Sequence, residues 1–255
     1  MDEQGNARLA LACLDLTSLN DSDDATVIDA LCARAVTRWG PVAAVCVWPR
    51  FVAQARVALP HEVAVAAVAN FPQGAIDTLR AVADARAIAD ARGDEVDLVL
   101  PWRAMLNGRS AEAAQLVAHV RAACVGKRLK LIIESGELST PAAIREACAI
   151  GLDAGVDFLK TSTGKTAYGA SPAATRVMLQ AIATHPRGAA VGFKAAGGIR
   201  TVVEAAAYIS LVRDILGPAA LGPARLRFGA SALLGDIERV LSGSDIAGAA
   251  DASAY

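Results

Sequence analysis

The chain has five lysines, at 127, 130, 160, 165 and 194, against twenty arginines, and two of the five share the stretch VDFLKTSTGKTA (156–167). Lysine can do what arginine cannot. A guanidinium stays protonated throughout the usable pH range, whereas an amine can be freed to attack a carbonyl and form a Schiff base. An isolated lysine amine, with a pKa of about 10.4, is almost wholly protonated at neutral pH. A second ammonium close by, together with partial desolvation, lowers that value and releases the nucleophile. Lys160 in VDFLKTS and Lys194 in VGFKA are the candidates for such a pair, and Asp97 in EVDLVL is the carboxylate for proton transfer.

The elements around these residues must bring them together. Short apolar runs alternate with helix-patterned segments from end to end. Strands are expected at 10–15, 42–48, 63–69, 95–100, 129–134, 156–161, 190–194 and 224–229. Most are β-branched and aliphatic, as in parallel strands covered on both faces. Thr140, Pro141 and Gly155 mark the cap, first position and stop of one helix, and Ser171 with Pro172 starts another. Further helices are expected over about 23–39, 76–92, 110–125 and 201–216.

Eight such strand–helix units in 255 residues predict an α/β fold, a single (β/α)8 TIM barrel occupying 1–255, with a flexible C-terminal tail from about residue 243. A doubly wound open sheet is the rival. It usually carries G-x-G-x-x-G after its first strand, and the segment after Asp15 reads LTSLNDSDD instead.

In a barrel of this kind the active site lies at the C-terminal ends of the strands. Lys160 falls near the end of the sixth strand and Lys194 near the end of the seventh, while Asp97 interrupts the fourth and Asp15 closes the first. Alternation puts Phe158, Lys160 and Ser162 on one face of their strand, and Gly192 and Lys194 on one face of theirs. An outward lysine would be buried against the helix layer at a cost of several kcal/mol, so the barrel mouth is the expected direction. Asp97, between Val96 and Leu98, is expected to look inward as well. The alternative is a structural Lys–Asp pair that plugs the barrel. Two lysines around one aspartate leave an excess positive charge for which a plug has no use. Lys127 and Lys130 are expected to be solvated charges at the bottom rim.

A second function is written in the loops. TSTGKT ends like a P-loop, but the glycine that motif requires at 159 is Leu159, which excludes nucleotide binding by that route. The loops after strands seven and eight, AAGGIRT (Gly197, Gly198) and FGASALL (Gly229, Ser231), have the glycines that let backbone N–H groups approach an anion. Lys165 can add a full charge. A phosphorylated small molecule is the favoured ligand.

The composition, 54 % hydrophobic and 20 % charged, suits a buried core, and a net charge of −1 gives no reason to expect nucleic acid or an anionic membrane as partner. No apolar run approaches a membrane span, the first residues lack the basic start of a signal peptide, and five cysteines without a C-x-x-C suit reduced thiols in the cytoplasm. His61, His119 and His185 are scattered, so no metal is expected.

With these residues in view, EVDLVLPWRAML, LIIESGEL, DFLKTSTGK, VGFKAAGGIRT and RFGAS, in this order and spacing, resemble the deoxyribose-phosphate aldolase family, as do the early LDLTSLND and AAVCVWPRF and the terminal SAY. The resemblance implies a class I aldolase that needs neither metal nor cofactor. It implies reversible cleavage of 2-deoxy-D-ribose 5-phosphate to D-glyceraldehyde 3-phosphate and acetaldehyde, in deoxyribose phosphate catabolism, by a protein that can form homodimers. On the same basis Lys160 is the Schiff-base nucleophile, Lys194 the neighbouring ammonium, and Asp97 the proton-transfer group acting through a water. Thr163, Gly164, Lys165, Gly197, Gly198, Gly229 and Ser231 surround the substrate and its phosphate, and Asp15 is a further substrate-side candidate. Tyr255 takes the place of a tail tyrosine that assists proton exchange at the enamine carbon.

Two residues depart from the family pattern. Ala195 stands where proline is frequent, which touches loop stiffness, and Ala232 stands where a second serine is common, which removes a possible phosphate hydroxyl. An aldolase for another phosphorylated sugar and a non-catalytic sugar-phosphate binder remain the alternatives.

Overall fold

In a computed structural model that describes residues 1–243, eight parallel strands close into a barrel. They are β1 (Leu14–Thr17), β2 (Ala44–Val47), β3 (Ala64–Ala69), β4 (Glu95–Val99), β5 (Arg128–Ile132), β6 (Phe158–Lys160), β7 (Gly192–Ala196) and β8 (Leu226–Ala230). Each pairs with its sequence neighbours and β8 closes on β1, so the sheet has no edge. The strands are almost wholly buried because helices cover them outside and side chains fill them inside, as AVAAVA of β3 illustrates.

The longer helices are α1 (Glu3–Ala12), α2 (Ala25–Arg34), α3 (Val52–Ala58), α4 (Thr78–Asp90), α5 (Ser110–Ala123), α6 (Pro141–Asp153), α7 (Pro172–Thr184), α8 (Val202–Leu216) and α9 (Leu233–Ser242). Their starts follow side-chain chemistry. Thr140 and Ser171 accept from Ala143 N and Ala174 N, each ahead of a proline, and Thr201 with Glu204 forms a capping box on α8. Each such cap contributes about 1 kcal/mol. Gly155, at φ 81°, ends the α6 turn as expected.

The structure corrects several element boundaries. Residues 10–12 belong to α1 and not to the first strand. Asp2 caps this helix by accepting from Gly5 N at 2.8 Å, and the apolar run is its buried face (Ala7, Ala10, Leu11), packed on α8 and α9. β1 therefore starts at Leu14, and Asp15 is its second residue, one level below the strand end. The single helix expected over 23–39 stops at Arg34. A two-residue antiparallel ladder follows (Val36–Thr37 with Gly40–Pro41), where Gly40 takes φ 126° and Pro41 cannot continue a helix. The fifth strand runs over 128–132, not 129–134, because Glu134 turns out of the sheet at φ 55°.

The tail beyond residue 243, with Tyr255, lies outside the described residues. Among the described residues no helix is long and apolar enough to cross a membrane.

Candidate active site

A (β/α)8 barrel is ordinarily filled by branched aliphatic side chains. Here Asp15, Glu95, Asp97, Lys130, Lys160, Lys194 and Arg227 are all buried, and they meet in the barrel interior. Strand register assembles them. Lys130 lies beside Asp97 across β4–β5, Lys160 beside Lys194 across β6–β7, and Arg227 beside Lys194 across β7–β8. Gly192 leaves room for the Phe158 ring, which a Cβ there would meet at 2.3 Å. That ring forms part of the barrel floor, with the Arg128 and Arg227 guanidinium groups 5.7 and 5.8 Å from its centroid.

Asp97 sits at the centre of the network. Its Oδ2 accepts from Lys160 Nζ and from Lys194 Nζ, each at 2.8 Å, and its Oδ1 accepts from Lys130 Nζ at 2.7 Å. Lys194 is also ion-paired with Asp15. Below, Lys130 pairs with Glu95, and Arg227 joins Asp15 (2.6 Å) to Glu95 (3.0 Å). Burying charges is tolerable only with such pairing, and removing one partner of a buried pair typically costs about 3–5 kcal/mol.

The protonation states separate sharply. Burial pushes the Lys160 amine down, the Asp97 carboxylate opposes this, and the Lys194 ammonium lowers it further; the net shift is below the usual lysine range. Lys194 feels the same burial, but Asp15 and Asp97 outweigh it and hold its proton more tightly than usual. Lys130 is raised for the same reason by Asp97 and Glu95. Burial pushes Asp97 up, but the three lysines around it outweigh burial and keep it well below the carboxylate range. One of the three lysines is therefore biased towards the free amine, and it is Lys160.

Lys160 is also the one that reaches the cavity. A space of about 300 Å³ opens above the C-terminal ends of β1, β6, β7 and β8, and Lys160 lines it together with Thr163, Gly164 and Lys165. Gly197, Gly198, Gly229 and Ser231 complete the wall at the strand-seven and strand-eight loops. Lys194, Asp97 and Asp15 lie behind Lys160 and are fully buried. Asp15, expected on the substrate side, is thus a buried partner of Lys194 and Arg227, because β1 begins later than its apolar run implied. The loops pack backbone to backbone: a Cβ on Gly169 would lie 2.2 Å from the Gly197 carbonyl oxygen. Ala232, the N-cap of α9, makes no side-chain cap bond, so among the described residues the first amides of α9 keep no side-chain partner at the cavity edge.

Several residues at the site escaped the sequence reading. Lys130, expected at a solvated rim, is fully buried in the network. Its position between Leu129 and Leu131 matches that of Asp97 between Val96 and Leu98, and this alternation was the available signal. Glu95 was missed because it begins a strand, where a charge reads as solvated, and Arg227 because its partners, Asp15 and Glu95, lie far from it in sequence. Thr17, Ser18, Asn20 and Arg200 also line the cavity.

Glu134 is the least legible of these residues. Its positive-φ turn carries a buried carboxylate across to the strand-six loop, where it accepts from Thr163 Oγ1 at 2.6 Å, from Thr163 N and from Thr166 Oγ1. Glu134→Ala is expected to lower stability by about 2 kcal/mol, the scale of hydrogen bonds to a charged group, as read by thermal unfolding. Loosening of the 161–166 loop should raise KM more than it lowers kcat.

Among the described residues no group of three or more His, Cys, Asp or Glu side chains could hold a metal ion. The acids that converge in the barrel are taken by lysine and arginine.

Comparison with known proteins gives this geometry a context. The chain is 45 % identical to a deoxyribose-phosphate aldolase of Agrobacterium fabrum, over 96 % of its own length and 95 % of the relative's. A crystal structure from Coccidioides immitis, provisionally described as a deoxyribose-phosphate aldolase, is 30 % identical, with a TM-score of 0.79 over 92 % of this chain and 86 % of that one. One from Toxoplasma gondii ME49, described in the same provisional way, shares the fold with a TM-score of 0.87 at 23 % identity, over 96 % of this chain and 97 % of that one. The model of the DeoC/LacD family aldolases matches residues 9–234, which contain every residue of the buried ionic network and of the cavity, and the chain belongs to that family.

Proposed function

We propose that the chain catalyses the reversible cleavage of 2-deoxy-D-ribose 5-phosphate to D-glyceraldehyde 3-phosphate and acetaldehyde, as a metal-free class I aldolase. The observation that carries this reading is the placement of Lys160: within the buried cluster it alone both lines the cavity and has a lowered amine pKa. Its Nζ adds to the C1 aldehyde of the open-chain sugar, and loss of water gives an iminium ion. The C3 hydroxyl then loses its proton, the C2–C3 electron pair flows into the iminium, and glyceraldehyde 3-phosphate departs, leaving an enamine on Lys160. Protonation at C2 and hydrolysis release acetaldehyde and restore the amine.

Asp97 Oδ2, in contact with both Lys160 and Lys194, is placed to pass protons between them, with a water completing the path to substrate. Lys194, firmly protonated, disfavours a second ammonium beside it and serves as the local proton store. The phosphate is assigned to the far side of the cavity, between Gly164–Lys165, Gly197–Gly198 and Gly229–Ser231, with the first amides of α9 in place of the hydroxyl that Ala232 lacks.

Comparing turnover on several sugar phosphates tests the reading. Efficient acetaldehyde release from 2-deoxy-D-ribose 5-phosphate alone supports it. Preference for another sugar phosphate would shift the assignment within the aldolases, and turnover of none would favour a silent binder. Lys165→Ala should raise KM for the phosphorylated sugar about tenfold, the scale of one lost charge-assisted contact, and leave cleavage of unphosphorylated 2-deoxyribose unchanged. The proposed assembly is a homodimer, read by light scattering. The proposed setting is the cytoplasm, in keeping with five buried, unpaired thiols.

A further inference from the structure

The ionic network runs deeper than the reaction requires. Lys130 lines no part of the cavity, and no step above uses it. It is nevertheless fully buried, with its ammonium on Asp97 Oδ1 at 2.7 Å, ion-paired with Glu95 and 3.6 Å from Asp15. An apolar side chain of similar length would fill the same volume without the desolvation penalty of a buried charge. What Lys130 adds is charge.

The buried groups joined by ion pairs comprise three carboxylates (Asp15, Glu95, Asp97) and four cations (Lys130, Lys160, Lys194, Arg227). With Lys160 as the free amine, three cations meet three anions. With Lys160 protonated, the set carries one uncompensated positive charge away from water. Arg128 also contacts Glu95 at 2.5 Å from the rim, with its side chain 38 % exposed; its charge is the same in both protonation states of Lys160 and does not alter the difference between them.

We propose that Lys130 is a positioning residue of the active site: its charge, with those of Lys194 and Arg227, saturates the three buried carboxylates and leaves Lys160 as the lysine that gives up its proton. Asp97 alone would hold Lys160 protonated, and the ammonium of Lys130 on its other oxygen weakens that hold.

The groups facing Lys160 are Asp97 from β4, Lys194 from β7, Cys46 from β2, and Glu134 beyond β5. Burial pushes the Cys46 thiol up and keeps it neutral, and Glu134 bonds Thr163 and Thr166 without touching a cation. Lys130 itself faces Asp97 and Glu95 from β4, Asp15 from β1 and Lys194 from β7. The inference rests on Lys160 as nucleophile.

The test uses four proteins: wild type, Lys130→Met, Glu95→Gln and the double variant. Two quantities are measured, the pH dependence of kcat/KM for 2-deoxy-D-ribose 5-phosphate and the position of the ethyl adduct trapped by borohydride with acetaldehyde. The rising limb of the profile reports the free amine in the free enzyme. Losing the Lys130 charge leaves an excess negative charge, so Lys160 holds its proton more tightly and the limb moves up by about one to two pH units. At a fixed pH below the limb this is a loss of about 10- to 100-fold. Glu95→Gln moves the limb down, and the double variant, balanced again, returns to within about half a unit of wild type.

A folded Lys130→Met protein with an unmoved limb overturns the proposal, and so does a double variant no more active than Lys130→Met, because the loss would then be one of packing. Should Lys130→Met fail to fold, Glu95→Gln decides alone: a downward limb supports the proposal and an unmoved one overturns it. An adduct off Lys160 in the wild type would instead remove the nucleophile assignment, and the proposal with it. An adduct on Lys160 with an unmoved limb removes the role of Lys130 only.

Discussion

Lys160→Leu is expected to abolish cleavage of 2-deoxy-D-ribose 5-phosphate, with a loss on the order of 10⁵-fold or more, as removal of a covalent nucleophile causes in other enzymes. The scale follows from the chemistry. Without the iminium no electron sink is available to the breaking C2–C3 bond, and the neighbouring Lys194 cannot substitute, because it lies behind the cavity wall and Asp15 and Asp97 hold its proton. The variant should still fold, since losing Lys160 leaves three cations facing three carboxylates and leucine fills much of the lysine stem's volume. Appreciable turnover by a folded Lys160→Leu protein would contradict the assignment of the nucleophile.

Lys194→Leu is expected to reduce activity by about a hundredfold or more at neutral pH, because the group that disfavours a second ammonium beside it is gone. The sign follows from the contacts. Lys194 and Lys160 share Asp97 Oδ2, and without Lys194 that oxygen, together with an Asp15 Oδ2 left with only Lys130 at 3.6 Å, stabilises protonated Lys160. The Lys160 pKa then rises towards its reference value of about 10.4, and the rising limb of the pH–rate profile moves with it. Activity lost at pH 7 should therefore be partly regained on raising the pH, a recovery that Lys160→Leu will not show. A weakened Lys194→Leu enzyme with an unshifted profile would assign the residue to packing or proton transfer alone.

The parts of this site that sequence reading found are those where residue type and period agree. A lysine between apolar neighbours near a strand end has one tolerable direction, and alternation placed Lys160, Lys194 and Asp97 on the interior face where the structure has them. The Gly-Gly and Gly-Ala-Ser loops, expected at the site for their small residues, line the cavity. Lys130 was lost to a boundary: a strand taken to begin at 129 makes residue 130 a rim charge, whereas a strand beginning at Arg128 with inward alternation carries it into the interior. Asp15 moved by the same cause, because the alanine-rich run before it folds as a capped helix whose buried face is as apolar as a strand. Glu134 had no readable signal, since glutamate carries no preference for the left-handed backbone that turns it onto Thr163. Glu95 and Arg227 are visible only once the strands are set side by side, where each answers a charge distant in sequence.

The most direct test of the account is borohydride reduction in the presence of acetaldehyde, with the modified residue located by peptide mass mapping. The expected result is a single ethyl adduct on Lys160. An adduct on Lys194 would keep the imine chemistry but exchange the two lysines, against the burial and ion pairing described here. No adduct on either residue, in a protein that still binds sugar phosphate, would contradict the Schiff-base mechanism altogether.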